Sequence, residues 1–332
     1  MSKRSPAFEY FNKQASLFIK GIAIILMVCH HMWWSKDIND FTGIWYSIAP
    51  LLISLGKAGK VCVAIFTFIS GYGLYLSLSG NNNYYSILAK IKNVFFHFWI
   101  TTIPILIILF FTGLIPFNIM EFLKNITCIN NSYNGAWWYL QTYIIYLAIY
   151  PSILLIMKKK WSAIILCIIS MTIFRYISYI FLGKQMPIHY LLYYFPFLIL
   201  GTTFCKYKLL EKLTYKKNTL SLILYLTIVT ICLYIRIKTG YSEILFILVP
   251  CFILIFIQKP IPNILITKIL TSLGQYSMGI WLLHSFFIKQ IPLQKISNNC
   301  ILHLILILGI CYLISYTIEK IYSIIRNKIY IK

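Results

Sequence analysis

The chain has 332 residues, of which 60% are hydrophobic and 11% are charged. A soluble domain carries about 25% charged and about 45–50% apolar residues, so this composition excludes a soluble globular protein and predicts one embedded in a lipid bilayer. The formal net charge of +23 does not indicate nucleic-acid binding, because Lys and Arg of membrane proteins concentrate in cytoplasmic loops.

Apolar runs that are long enough to cross a bilayer recur along the whole chain. About 20 apolar residues rising 1.5 Å each cover the hydrocarbon core. We predict spans at 16–34, 58–79, 94–115, 137–157, 161–182, 189–205, 219–236, 242–257, 269–288 and 300–323, with a shorter apolar piece at 44–56. The predicted fold is therefore all-α, a polytopic membrane helix bundle of about ten transmembrane helices that forms a single domain over residues 1–332.

The distribution of Lys and Arg predicts the orientation of this bundle. With the N-terminus in the cytoplasm, the cytoplasmic segments carry roughly twice as many basic residues as the opposite segments. The strongest contributions come from residues 158–160, the loop at 206–217 and the C-terminal tail. We therefore expect both termini in the cytoplasm.

The first span holds three ionisable residues, Lys20, His30 and His31. Such groups are costly inside a membrane and are functional candidates for that reason. Lys20 and His31 lie eleven residues apart, which places them on nearly the same helix face about 16 Å apart, with His30 roughly 80° away. Imidazole can accept a proton from a hydroxyl group, and a lysine can contact an anion. The alternatives are a hydrogen-bonded packing histidine and a snorkelling lysine.

Three further spans contain polar candidates. Ser277 and His284 lie two turns apart on one face of the ninth span, at the predicted depth of His31. Their alternative role is interfacial packing. Trp138 and Gln141 share a face of the fourth span, and a buried amide needs partners. Arg175 in the fifth span needs an acceptor or an aqueous cavity. A tyrosine stripe in the fourth span favours helix packing over ligand binding: Tyr139, Tyr143, Tyr146 and Tyr150.

Acidic residues and cysteines limit the available chemistry. The seven acidic residues lie mostly in loops or near span ends, so a mechanism with two buried carboxylates has little support. The nine cysteines contain no CxxC pair and fall mostly in apolar runs, as expected for small hydrophobic residues. We predict no metal site.

Three stretches together resemble acyltransferase family 3, a family of integral membrane acyltransferases. The stretch KGIAIILMVCHH, with Lys20 and His31, resembles the family's basic residue followed eleven positions later by histidine. The stretch FTFISGYGLYLS resembles its Phe-rich segment ending in Ser-Gly. The stretch YSMGIWLLHSFF, with Tyr276, Ser277 and His284, resembles its Tyr-Ser and Leu-Leu-His signature. The stretch WWYLQTYIIYLAIYP is also similar to the family's Trp-x-Leu helix.

The resemblance implies transfer of an acyl group, usually acetyl, from cytoplasmic acyl-CoA to a hydroxyl of a cell-surface or lipid-linked carbohydrate. It implies acetyl-CoA as a donor substrate, no tightly bound cofactor, and a location in a bacterial cell membrane. On this reading His31 is a general base or a covalent acyl carrier, and Lys20 contacts the donor or stabilises charge. The expected substrate-binding residues are His30, Trp138, Gln141, Arg175, Tyr276, Ser277 and His284.

The chain also departs from the family pattern. Leu17 stands where the family often has an acidic residue, Gln141 where some members have Glu, and only Lys90 and Lys92 represent the Arg pair after the second span. The main alternative is a transporter or flippase for a polar lipid or glycan, and a second is a non-catalytic membrane scaffold. The Lys20–His31 spacing and the ninth-span signature favour the acyltransferase.

Overall fold

A computed structural model of the chain describes residues 11–42, 44–80, 84–180, 187–214, 218–241, 243–258, 263–291 and 299–330. The structure is 86% helical, and the described residues include no strand. The helices are α1 Lys13–Trp33, α2 Ile44–Gly59, α3 Val61–Leu78, α4 Tyr84–Phe111, α5 Ile119–Ile126, α6 Trp138–Ile156, α7 Lys160–Ile169, α8 Arg175–Ile180, α9 Pro187–Lys206, α10 Leu209–Thr214, α11 Thr219–Thr239, α12 Leu245–Gln258, α13 Ile264–Gln275, α14 Ser277–Lys289 and α15 Cys300–Tyr330. A π-helical turn, Ser170–Phe174, joins α7 to α8.

The predicted all-helical membrane fold is confirmed, whereas the count of about ten spans is not. Among the described residues, eight helices are long and apolar enough to cross a membrane. The predicted eighth span corresponds to α12, which has only 14 residues. The predicted ninth span is divided between α13 and α14, and α2 with α3 forms one apolar stretch of 35 residues. The cytoplasmic location of the termini stays a prediction.

Two of the apolar stretches are broken at a single residue. Lys60 separates α2 from α3, and Tyr276 separates α13 from α14. A break at membrane depth is tolerated only where protein or a cavity surrounds the freed backbone groups. Both breaks meet this condition, because Lys60 lines an internal cavity and the Tyr276 ring packs edge-on against Tyr312 of α15.

Helices α1, α3 and α9 form the centre of the bundle. Half to two thirds of the residues in these apolar segments are buried, against 17% for α11 and 22% for α15. The large apolar side chains that α11 and α15 leave exposed, such as Tyr234 and Leu313, are therefore the ones available to lipid. The central helices carry the buried Phe68 and Phe197 and most of the candidate site.

Helix α1 touches α13 through backbone atoms. A Cβ added at Gly21 would lie 1.9 Å from the carbonyl oxygen of Leu270, and one added at Gly274 would lie 1.8 Å from that of Leu17. Small residues at such crossings let two helices approach closely without a hydrophobic driving force. The contact fixes the position of α1 beside Lys20, the residue that precedes Gly21.

Candidate functional site

The central helices enclose a cavity of about 560 Å³. Its walls come from α1, α3, α6, α9 and α14, with Lys60 contributed by the break between α2 and α3. A cavity of this size lies within the range of small-ligand sites, about 300–1,000 Å³. Several of the predicted site residues line it, among them Lys20, His31 and Ser277.

The helical spacing places the predicted first-span residues together. Lys20, His30 and His31 all line the cavity, as do Met27 of the same helix and Trp34, which follows its last residue. Their side chains occupy one long face of α1, with Lys20 about 16 Å from His31 along the axis. The cavity therefore joins a lysine near one end of α1 to an imidazole near the other.

His31 packs directly against a second imidazole. The ring centroids of His31 and His284 are 4.9 Å apart, and His284 is fully buried behind the cavity wall. The Nδ1–H of His284 donates to the Trp281 carbonyl oxygen at 2.7 Å, because that oxygen can only accept. Its Nε2 then carries a lone pair and has no hydrogen-bond partner among the described residues. The His31 ring packs against this imidazole, and no hydrogen bond joins His31 to its Nε2 in the described structure.

His30 is held by the second helix of the structure. Its Nδ1–H donates to the Gly56 carbonyl oxygen at 2.8 Å. Its ring stacks on Trp34 with a centroid separation of 5.5 Å and lies 5.2 Å from the ring of His31. These contacts tie α1 to α2 and fix His30 on the cavity wall beside His31.

An aromatic wall lies across the cavity from α1. Trp138 stacks on Tyr190 at 4.3 Å and on Tyr194 at 5.5 Å, with interplanar angles of 29° and 28°. Tyr139 lines the same wall, and its hydroxyl shares a hydrogen bond of 2.9 Å with Thr67. Trp281 of α14 meets the Tyr139 ring edge-on at 5.9 Å. This wall offers flat apolar faces next to hydroxyl groups.

The tyrosine stripe of α6 divides between two roles. Tyr139 and Tyr143 line the cavity. Tyr146 donates to the Leu191 carbonyl oxygen at 2.7 Å, and Tyr150 donates to that of Gly71 at 3.1 Å. The interpretation of the stripe as helix packing therefore holds for its second half, and its first half faces the site.

The segment before α6 closes the cavity against α14. Asn134 Nδ2 and Trp137 Nε1 both donate to the Leu282 carbonyl oxygen at 3.1 Å. Gly135 and Ala136, between them, line the cavity. We did not predict this role from the sequence, although an Asn-Gly pair precedes the two tryptophans there.

Several predicted substrate-binding residues lie elsewhere. Gln141 donates its amide to the Cys128 carbonyl oxygen in the loop before α6. Arg175 pairs with Glu243, Nη2 to Oε1 at 2.8 Å, and its guanidinium lies 3.9 Å above the Tyr193 ring. Neither lines the cavity, which corrects the expectation that both orient substrate there. Each instead has local partners that satisfy a polar group at membrane depth.

The ninth-span signature is also divided. Ser277 lines the cavity and donates its hydroxyl to the Gly274 carbonyl oxygen at 2.8 Å. Tyr276 points away and packs against Tyr312 and Tyr316 of α15, so the structure does not place it in the cavity. The structure adds Lys60 and Lys289 to the cavity lining, which the sequence analysis did not single out because both follow apolar runs as ordinary boundary residues.

These features define a polytopic helical membrane protein whose central cavity joins a lysine to a pair of imidazoles. The chain matches the family model described as an acyltransferase domain over residues 17–320, nearly its whole length. It belongs to acyltransferase family 3 and is a membrane acyltransferase. Searches of curated proteins and of solved structures found no match.

Proposed function

We propose that the protein moves an acetyl group from cytoplasmic acetyl-CoA to a hydroxyl of a cell-surface or lipid-linked carbohydrate in a bacterial cell membrane. The observation that carries this proposal is the opening of Lys20 and His31 into one cavity. Capsule, exopolysaccharide and O-antigen glycans are the acceptors that the family resemblance favours. The donor and the acceptor would meet at His31.

His31 acts as the general base. It takes the proton of the acceptor hydroxyl while that oxygen attacks the thioester carbonyl carbon. The new C–O bond forms, the C–S bond breaks, and the departing CoA sulfur takes the proton from His31. A His31 ring that donates one N–H to His284 Nε2 keeps its second nitrogen available as the acceptor, and this supports the assignment.

Lys20 and the aromatic wall bind the two substrates. Lys20 lies at the end of the cavity nearest the start of α1, where an ammonium group suits the phosphates of a CoA donor. The stacked rings of Trp138 and Tyr190 offer a platform for the apolar face of a sugar ring. Together they would hold the thioester and the hydroxyl near His31, which is where proximity accelerates the reaction.

Membranes that contain the protein test the proposal directly. They are incubated with radiolabelled acetyl-CoA and a cell-envelope glycan extract, beside His31→Ala and the control His303→Ala, whose side chain lies on α15 away from the cavity. We expect label in glycan with the unaltered chain and with His303→Ala only. Substantial transfer by a well-expressed His31→Ala protein would overturn the assignment.

A further inference from the structure

The cavity is lined by basic side chains and by no acidic one among the described residues. Lys20, Lys60 and Lys289 contribute to its lining together with His30 and His31. The acidic side chains of the described chain lie elsewhere: Asp37, Asp40, Glu121, Glu211, Glu243 and Glu319. The electrostatic field inside the cavity therefore favours anions.

The lysines occupy opposite ends of the cavity. Lys289 follows His284 by five residues on α14, which is about 7.5 Å further along the helix axis. Lys60 follows Gly59, where an added Cβ would lie 2.3 Å from the carbonyl oxygen of Leu26 and 3.0 Å from the Cβ of His30. Lys60 and Lys289 therefore stand at the His31 end, while Lys20 stands at the other end.

Exposed side chains line the cavity at the His31 end. Lys60, Lys289 and Trp34 are all exposed and all line the cavity. A cationic mouth of this kind raises the local concentration of an anionic ligand and orients its charge toward the opening. The proposed donor places its phosphates at Lys20, and Lys60 and Lys289 give the His31 end a positive charge of its own.

We propose that Lys60 and Lys289 bind a negative charge on the acceptor, so that the preferred substrate is a carbohydrate carrying a carboxylate or a phosphate. This inference rests on the proposed function and assigns the chemical class of its acceptor. The aromatic wall contacts the sugar ring, and the two ammonium groups hold its anionic substituent at the mouth. The hydroxyl to be acylated then lies between them, beside His31.

Two amphiphiles that differ at C6, where one carries a carboxylate and the other a hydroxymethyl group, test this inference by binding, without requiring turnover. Purified protein in nanodiscs is titrated with octyl β-D-glucuronide and with octyl β-D-glucoside, and quenching of the cavity tryptophans reports occupancy. We expect the glucuronide to bind about tenfold more tightly, the range of one or two partly exposed ion pairs. Lys289→Gln should reduce this preference about threefold and leave glucoside affinity unchanged, whereas Lys289→Arg should retain it.

The matched control is Lys268→Gln. Lys268 is an exposed lysine that lines a separate groove between α13 and α15, so its removal should not alter the preference. Any of three results would overturn the inference. They are equal affinity for the two amphiphiles, no binding of the glucuronide, and a Lys289→Gln protein that loses affinity for acetyl-CoA instead of for the glucuronide. If acetyl label moves into glycan but the protein does not prefer the glucuronide, this inference alone fails. If the protein prefers the glucuronide but no label moves into glycan, the proposed function alone fails.

Discussion

The imidazoles of His31 and His284 lie ring against ring, 4.9 Å between centroids, although α1 and α14 are far apart in the chain. His284 presents an unpartnered Nε2 in the described structure, and His31 lines the cavity in front of it. The second histidine is thus placed to orient the first without touching substrate.

Replacement of His284 should lower the rate of transfer more than substrate binding. We expect His284→Phe, which keeps the ring volume but removes the acceptor nitrogen, to reduce kcat about 10²-fold, at the low end of the effect of losing a general base. The KM for acetyl-CoA should stay within about twofold. His284→Gln should restore part of the rate, because its amide oxygen can accept the N–H that the proposed mechanism has His31 donate to His284. A pH–rate profile identical to that of the unaltered protein in both variants would contradict this positioning role.

A covalent acyl-histidine is not expected. If His31 acts as a base, the protein incubated with radiolabelled acetyl-CoA in the absence of acceptor should carry no label after rapid acid quenching and gel separation. The His31→Ala protein provides the background. Label that is stable to the quench, and that this substitution removes, would show that His31 carries the acyl group instead.

The contact between α1 and α13 should tolerate no added carbon atom. Gly274→Ala places a Cβ 1.8 Å from the Leu17 carbonyl oxygen, so the helices must separate, at a cost of about 1–3 kcal/mol. A lower thermal unfolding midpoint in detergent is the expected result. Gly73→Ala on α3 is the control, because nothing lies within 4 Å of its Cβ and alanine is favoured over glycine in a helix by about 1 kcal/mol. Equal midpoints for the two variants would disprove the close contact.

The loop around α5 should loosen in acid. The Ser132 hydroxyl, followed by Lys124 and Asn130, holds the pKa of Glu121 below its ordinary value of 4.5. A carboxyl whose folded pKa is depressed stabilises the folded loop above that ordinary value, and the contribution is lost as the pH falls through the folded pKa. Hydrogen exchange of residues 119–133, corrected for intrinsic rates, should therefore accelerate below about pH 4.5. Glu121→Gln should show no such step, and a step that persists in it would assign the effect to another group.

Asn134 should matter more than its polar neighbour Asn131. Asn134→Ala removes the bond to Leu282 and the acceptor for the Ala136 N–H at 3.0 Å, for a combined loss of about 1–3 kcal/mol. Asn131→Ala removes a side-chain bond of 3.4 Å to Gly135 and should cost less than about 1 kcal/mol. Thermal unfolding and transfer activity are measured for both variants. A larger loss in Asn134→Ala than in Asn131→Ala supports a role of Asn134 in closing the cavity, and equal losses contradict it.

The local part of the site could be predicted from the sequence. A helical period of 3.6 residues is enough to place Lys20 and His31 on one face, and the structure shows both in one cavity. The all-helical membrane fold followed from apolar runs in the same way. Hydropathy, however, measures affinity for lipid and not the continuity of backbone hydrogen bonds. It therefore separated the piece at 44–56 from the span at 58–79 but gave no sign of the break at Tyr276, and the count of about ten spans is not confirmed.

Residues whose role depends on distant partners could not be placed. Arg175 looks like a site residue in the sequence because it is a charge within an apolar span. Its partners, however, are Glu243 in the turn before α12 and the Tyr193 ring of α9, and they satisfy it outside the cavity. Lys289 looks like a boundary residue in the sequence because it follows an apolar run. The packing of α14 against α1 nevertheless brings it into the cavity lining. The sequence indicates that a buried charge needs a partner, but only the tertiary structure shows which one.

The two-ended cavity also has a consequence for membrane permeability. In the proposed complex, the nucleotide part of the donor binds at Lys20 and an anionic glycan binds at Lys60 and Lys289. Neither charged molecule then has to cross the hydrocarbon region. Only an uncharged two-carbon fragment would change sides, so the proposed reaction requires no alternating-access movement.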